Sequence, residues 1–343
     1  MEHELFMQRC FELAKKGLGT ASPNPLVGSV VVYKNEIIGE GWHHKAGEAH
    51  AEVNAIQNVK DKSHLKESSI YVNLEPCSHF GKTPPCSDLL IKHQVKRVII
   101  ACQDPFSKVN GKGIQKLEDA GIEVVLNILQ KEAEFLNRRF FTFHTKKRPY
   151  IILKWAQTED GFIDKLRAKN ERGQNWISGM SAKRIVHLWR SQEDGILVGA
   201  QTAINDNPSL TVREIKGQNP IRLLIDPKNR LAKNSKIFDN QAKTIHFDQE
   251  KLGLTLAMDN DITPKEKLEK ILELCWKEEI QSIIVEGGAS TLQNFIKANL
   301  WDEARVFKSP IHFNQGLKAP VLNSSPEAKD KIGQDNLFTY FNL

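Results

Sequence analysis

The sequence is short of several features that define whole protein classes. No run of about 18 apolar residues occurs, so no membrane-spanning helix is expected. The opening MEHELFMQRC carries acids early and has no apolar core of signal-peptide length, so the expected location is cytoplasmic. Cysteine is scarce, with five residues, and an odd count in such a chain argues against a disulfide framework. Internal repeats, low-complexity tracts and blocks of Lys or Arg are also missing, which excludes solenoids and charged tails.

What remains is an ordinary globular composition: 343 residues, 40 % hydrophobic and 26 % charged, a length that suggests two domains. The formal charge of +6 suits an anionic ligand such as a phosphate ester, and it also permits nucleic acid. Helix and strand patterns alternate. Residues 2–17 read as an amphipathic helix, 26–33 as a strand, 49–59 as a helix and 69–77 as a strand. Helices at 87–93, 113–121 and 132–144 alternate with strands at 96–103 and 122–127. The basic segment His144 to Pro149 reads as a linker. Beyond it, strands near 150–157, 195–200, 221–226, 243–247 and 282–287 alternate with helices at 181–192, 264–279 and 290–300. The expected architecture is therefore α/β with two domains, 1–145 and 149–343. The polar stretch 323–335 reads as loosely held. Cys102 and Cys275 fall on apolar patterns and read as core residues.

Three short runs carry chemistry. His50-Ala51-Glu52 opens a helix, Pro76-Cys77 ends a strand, and Pro84-Pro85-Cys86 opens the next helix. One imidazole and two thiolates leave tetrahedral Zn2+ with an open position, the catalytic arrangement. A helix N-terminus favours the thiolate of Cys86. Zinc in that state lowers the pKa of a bound water to about 7. Glu52 is not needed as a ligand, and its expected role is proton transfer, the division of labour found in zinc nucleobase deaminases. Two other readings stay open: a closed structural zinc with His79 as fourth ligand, or no metal at all.

The cysteines stand eight residues apart instead of two, with Ser78-His79-Phe80-Gly81-Lys82-Thr83-Pro84-Pro85 between them. That run, with Ser22-Pro23-Asn24-Pro25-x-Val27-Gly28 and Gly39-Glu40-Gly41-Trp42-His43-x-Lys45-Ala46-Gly47, closely resembles the deaminase half of the bifunctional riboflavin-biosynthesis deaminase/reductase family. The resemblance implies a cytidine-deaminase-like α/β/α sandwich. It implies loss of the 2-amino group from a diaminohydroxypyrimidine carrying a ribosylamino 5-phosphate. Asn24 would then bind the pyrimidine, and His43 and Lys82 the ribose phosphate.

The likeness continues through Leu153-Lys154, Asp160-Gly161, Trp176-Ile177-Ser178, His187-x-x-Arg190, Asp194 to Gly199, Asp206-x-Pro208-x-Leu210-x-x-Arg213 and Glu286-Gly287-Gly288-Ala289. This half resembles the family's reductase, whose fold is similar to dihydrofolate reductase. The resemblance implies NADPH as cofactor and a homo-oligomer. Lys154, Gln174, Arg190, Leu210, Arg213 and Glu286 would face substrate, with both arginines on its phosphate. Ala156, Trp176, Thr202, Asp206, Gly288, Ala289, Ser290, Thr291 and Asn294 would hold NADPH. Lys154 and Asp206 would handle the proton. Physically, the strand-to-helix turn at Gly287-Gly288 presents free N–H groups and a dipole to a phosphate, although it is no G-x-G-x-x-G fingerprint. The chain departs from the family at Trp155 to Glu159 and in a longer, more basic loop from Phe162 to Asn175. A nucleic-acid deaminase is the competing enzyme reading, but the inter-cysteine insert and the second domain speak against nucleic acid as a partner. A non-catalytic binding protein on a decayed deaminase scaffold is opposed by the intact Glu52.

Overall fold

The computed structural model describes residues 2–80, 84–168, 171–253 and 262–342. Its contacts divide into two compact units, Met1–Lys147 and Arg148–Leu343.

Unit 1 runs α1 (Glu2–Lys15), β1 (Gly28–Tyr33), β2 (Glu36–Trp42), α2 (Ala51–Gln57), β3 (Ser69–Val72), α3 (Cys86–Lys92), β4 (Arg97–Ile100), α4 (Lys112–Asp119), β5 (Glu123–Val125), α5 (Gln130–Leu136) and α6 (Arg138–Lys146). The sheet order is β2-β1-β3-β4-β5. β1 is antiparallel to both neighbours, and β3, β4 and β5 are parallel. Side-chain alternation sorts each strand onto two faces. Val30, Val32, Tyr71 and Ile99 pack with Phe6, Cys10 and Phe140 on one face. Val31, Ile70, Val72, Val98 and Ile100 pack with Ala55, Leu90 and Leu117 on the other. Two cores around one sheet make the expected α/β/α sandwich. They leave the loop after β3 and the openings of α2 and α3 free to carry the site.

Unit 2 runs β6 (Tyr150–Gln157), β7 (Phe162–Asp164), α7 (Met180–Gln192), β8 (Gly195–Gly199), α8 (Ala200–Asp206), β9 (Ile221–Ile225), β10 (Thr244–Phe247), α9 (Pro264–Lys277), β11 (Ser282–Val285), α10 (Ala289–Ala298), β12 (Glu303–Lys308), β13 (Leu317–Lys318), β14 (Ala328–Ile332) and β15 (Asp335–Phe341). Eight strands form one sheet, β10-β9-β8-β11-β6-β12-β15-β14. The first six are parallel and the last two antiparallel. Again the alternation splits the strands: Ile151, Leu153, Ile283 and Val285 face one core and Tyr150, Ile152, Ile196 and Ile284 the other. α9 is started by a full capping box, with Thr263 and Glu266 exchanging bonds and Pro264 opening the helix. Cys102 and Cys275 are each 1 % exposed, as core residues should be.

Three expectations are corrected. The units divide within the expected 144–149 linker, after Lys147, but its first residues are helical: α6 continues to Lys146, with the His144 ring packed on Phe106, Phe140 and Phe143. The stretch 323–335 is not all loose, because β14 pairs with β15. Its charged, exposed residues suit an edge strand and disguise it as loop. β12 lies between β6 and β15 inside the sheet, yet no strand was expected there. Its alternation is hidden by buried charge: Glu303 accepts from Tyr150 Oη at 3.1 Å and from Arg305 Nε at 2.6 Å.

Candidate active sites

In unit 1, His50 caps α2, Cys77 follows β3 and Cys86 opens α3. Their ligand atoms lie within 4.8 Å of one another. Nδ1 of His50 stands 3.6 Å from Cys77 Sγ and 3.3 Å from Cys86 Sγ. Ligands on a tetrahedral zinc with bonds of about 2.0–2.3 Å stand about 3.5–3.8 Å apart, so both spacing and donor chemistry fit Zn2+. The Cys86 amide donates to Cys77 Sγ at 3.2 Å. The Cys77 thiol is lowered to about 4, first by its hydrogen bond with Cys86 and then, against burial, by His50. His79 is not in the donor group, which removes the four-ligand closed site among the described residues. Glu52 is 3 % exposed, and burial raises its pKa above the ordinary carboxylate range. A carboxyl tuned upward in this way is suited to taking and returning a proton.

Glu75 was not singled out by the sequence motifs. It is 4 % exposed, and its carboxylate accepts from the amides of Asp104, Gly111, Gly113 and Ile114 at 3.2, 2.9, 2.8 and 3.3 Å. It thereby caps α4 and fixes the strand end that delivers Cys77. Gly113 completes the joint, because a Cβ there would collide with the Pro76 carbonyl oxygen. Gly113→Ala is expected to destabilise unit 1 by about 1–3 kcal/mol, the usual cost of overpacking, and to lower its zinc affinity. Denaturant unfolding and zinc competition with a chelator would check this. Unchanged zinc retention would show that the joint does not control the ligand loop.

Asn24 Nδ2 lies 3.0 Å from His43 Nε2, and His43 Nδ1 lies 3.1 Å from the Ala49 carbonyl oxygen. His43 is 3 % exposed and burial lowers its pKa. The neutral ring therefore donates from Nδ1 to Ala49 and accepts at Nε2 from Asn24. Both nitrogens have partners, so in this conformation a phosphate contact by His43 would replace one of them. Lys82 lies outside the described residues.

In unit 2, a cavity of about 340 Å³ is lined by Lys154, Ala156, Gln174, Trp176, Arg190, Leu210 and Arg213. Thr202, Asp206, Glu286, Gly288, Ala289 and Ser290 line it too. At its base Glu286 accepts from Arg190 Nε and Nη2 at 2.9 and 2.8 Å, with Lys154 Nζ 3.7 Å away. These side chains are 10, 12 and 14 % exposed respectively. Burial lowers the Lys154 pKa, opposed by Glu286. Arg190 is not on the helix surface: its Nε and Nη2 are committed to Glu286 and its Nη1 donates to the Thr211 carbonyl at 3.4 Å, while Arg213 Nη1 donates to Thr211 Oγ1 at 3.0 Å. Trp176 is 60 % exposed, so it is a pocket wall and not core.

α8 and α10 open beside each other, capped by Gly199 and Gly288 without side-chain bonds. A Cβ on Gly288 would stand 3.0 Å from Thr202 Oγ1. Bare amides at two helix starts fit a dinucleotide's phosphates. Thr291 is placed one layer behind, against Gly199 and Gly287, and neither it nor Asn294 lines the cavity.

Arg167 went unnoticed in the sequence because the 162–175 loop has no periodic pattern. It bonds Asp164 at 2.7 Å, Gly173 O at 2.7 Å and Asp206 at 3.2 Å, tying this loop to α8. Burial raises the Asp206 pKa to about 6, opposed by Arg167 and aided by Asp164. A folded pKa above the unfolded value means stability is lost as pH rises through roughly 4 to 6. Asp206→Asn should therefore gain stability relative to wild type across that window and hold the gain above it. Five of the six tryptophans lie in unit 2 (Trp155, Trp176, Trp189, Trp276 and Trp301), so their fluorescence reports its unfolding. A difference independent of pH would refute the assignment.

Comparison with known proteins fits both halves. Residues 149–325 match the RibD C-terminal domain, and residues 1–102 match the cytidine and deoxycytidylate deaminase zinc-binding region. The riboflavin biosynthesis protein RibD of Aquifex aeolicus is 40 % identical over 323 residues, covering 91 % of this chain and 88 % of that protein. The chain belongs to the RibD family. The Escherichia coli RibD is 36 % identical over 330 residues, with 90 % and 88 % covered. The solved structure of Acinetobacter baumannii RibD superposes with a TM-score of 0.86 at 32 % identity, covering 99 % of this chain and 98 % of that one. The Thermotoga maritima diaminohydroxyphosphoribosylaminopyrimidine deaminase/5-amino-6-(5-phosphoribosylamino)uracil reductase gives 0.86 at 35 %, with 98 % of each chain covered. Membership makes this chain a bifunctional zinc-dependent deaminase and NADPH-dependent reductase. No helix among the described residues is long and apolar enough to cross a membrane.

Proposed function

We propose that the two units act in turn on one phosphorylated pyrimidine in riboflavin biosynthesis. Unit 1 deaminates 2,5-diamino-6-(5-phosphoribosylamino)pyrimidin-4-one, and unit 2 reduces the ribosyl group to ribityl, giving 5-amino-6-(5-phosphoribitylamino)uracil. The observation that carries the reading is the buried Glu52 beside the His50, Cys77 and Cys86 donor set.

Zinc held by those three residues lowers the pKa of water toward neutrality. Glu52 accepts the proton of the attacking water. It passes that proton to the ring nitrogen, then carries the second proton, from the new C2 hydroxyl, to the amine, which leaves as ammonia as the C2 carbonyl forms. Asn24, fixed by His43, binds the pyrimidine, and Lys82 meets the ribose phosphate.

In unit 2, NADPH supplies the hydride. Ala156, Trp176, Thr202, Gly288, Ala289 and Ser290 bind it, with the two bare helix starts on its phosphates. Gln174, Leu210 and Glu286 bound the substrate, and Arg213 with Arg190 holds its phosphate. C1 of the opened ribose would be reduced by the bound cofactor, and Lys154 with Asp206 would deliver the proton to the adjacent nitrogen. The domain assignment is 1–145 for the deaminase and 149–343 for the reductase, in a cytoplasmic homo-oligomer without nucleic acid.

The test generates the substrate in place from GTP with a cyclohydrolase and follows ammonia release and NADPH loss together. Both signals should appear, and chelation of zinc should stop both. Supplying the deaminated intermediate to the zinc-free protein should then restore NADPH loss alone. Ammonia without NADPH loss would leave only the first half standing.

A further inference from the structure

The segment bearing Asn24 is held by two buried asparagines outside the motifs. Asn137, between α5 and α6, is 2 % exposed, and Asn73, after β3, is 0 % exposed. Asn137 takes both edges of one peptide unit's residue. Its Oδ1 accepts from the Leu26 amide at 2.8 Å, and its Nδ2 donates to the Leu26 carbonyl at 3.0 Å. Asn73 Nδ2 donates to the same carbonyl at 2.9 Å, and Asn73 Oδ1 accepts from the Gly28 amide at 2.7 Å. Four hydrogen bonds from two carboxamides thus fix Leu26 and Gly28.

The consequences run in both directions along the chain. Two residues before Leu26, Asn24 Nδ2 meets His43 Nε2 at 3.0 Å. The His43 amide in turn bonds the Val27 carbonyl at 2.9 Å, and its ring lies edge-on to His50 with centroids 5.3 Å apart. On the other side, Asn73 lies four residues before Cys77. The circuit from one metal ligand to the other therefore passes through the Leu26 clamp. Asn137 is the only member of the clamp contributed by the C-terminal helices of the unit. Among the described residues, its side chain bonds Leu26 rather than the donor group, Asn24 or His43.

We infer that Asn137 is a positioning residue of the deaminase, setting the depth and angle at which Asn24 presents its carboxamide to the pyrimidine. This rests on the reading of Asn24 as a pyrimidine contact. The Asn137 carboxamide bridges the N–H and C=O of one residue with one acceptor and one donor, a match to which the shorter reach of Asn over Gln fits it. Loss of the acceptor leaves the Leu26 amide without this partner, and loss of the donor leaves the Leu26 carbonyl to Asn73 alone, so in either case the segment is less firmly held.

The experiment is a double-mutant cycle on the full, zinc-loaded chain, with substrate generated in place and ammonia release followed. Asn137→Ala, Asn137→Asp and Asn24→Ala are compared singly and as pairs, with zinc stoichiometry measured for each. Asn137→Asp keeps the volume and the acceptor but loses the donor, so it separates a lost bond from a cavity. Both Asn137 variants should raise KM by about tenfold while leaving zinc bound, and in the Asn24→Ala background the same changes should cost less than about twofold. An undiminished factor in that background, or zinc lost with the activity in both variants, would make Asn137 a fold residue and overturn the inference. If Asn24→Ala alone left KM unchanged, the substrate role of Asn24 would fail first and take the inference with it.

Discussion

Glu52→Gln should lower ammonia release by about 10²–10⁴-fold, the span lost when a positioned proton carrier is removed. The fall should appear in kcat. Glu52 is outside the donor group, so zinc content should not change. Gln keeps the volume and the hydrogen-bonding reach of Glu in a site that is 3 % exposed, so packing offers no alternative cause. NADPH loss should vanish in the coupled assay and return when the deaminated intermediate is supplied. A variant that retained more than about a tenth of its activity would exclude Glu52 as the proton carrier, because no general acid–base of this type contributes so little.

Removing Glu286 is the second large effect, and it acts on stability as much as on chemistry. Arg190 and Lys154 share this carboxylate, and all three side chains are 10–14 % exposed. Taking away one member strands two cations in the wall of the cavity. Breaking a buried ion pair from one side typically costs about 3–5 kcal/mol. Glu286→Ala should therefore lower the unfolding midpoint of unit 2 sharply and abolish NADPH oxidation. Lys154 should shift further toward its neutral form, since Glu286 is what opposes the effect of burial. Ammonia release and zinc content in unit 1 should stay as they were. A tryptophan-detected unfolding curve that did not move would mean the cations find solvent or other partners.

The metal donors were readable because each sits at an element boundary that the sequence marks. Pro85 marks where α3 begins and the inter-cysteine insert marks the family, but β3 ends at Val72 rather than at Cys77 as expected, and Cys77 lies on the segment that follows it. The core strands were readable as unbroken apolar runs such as Val30 to Val32 and Ile283 to Val285, whose two faces both pack, while the order of strands in each sheet came from the structure. β12 and β14 escaped for opposite reasons. β12 buries Glu303 and Arg305 against each other and against Tyr150, so its pattern reads as surface. β14 is an edge strand with charge on both faces.

By itself the sequence determined the domain class, the two α/β units, the zinc donors and Glu52, because local spacing and apolar periodicity encode these directly, whereas the reductase cavity wall was named only through the family resemblance. The tertiary structure decided how those side chains are committed. It gave Arg190 to Glu286, turned both His43 nitrogens inward and set Thr291 behind the glycines. It also closed the α4 cap with Glu75 and clamped Leu26 with Asn73 and Asn137. Such partners lie up to 111 residues apart in sequence. Only the path of the folded chain brings them within hydrogen-bonding range, and only burial makes the resulting bonds obligatory.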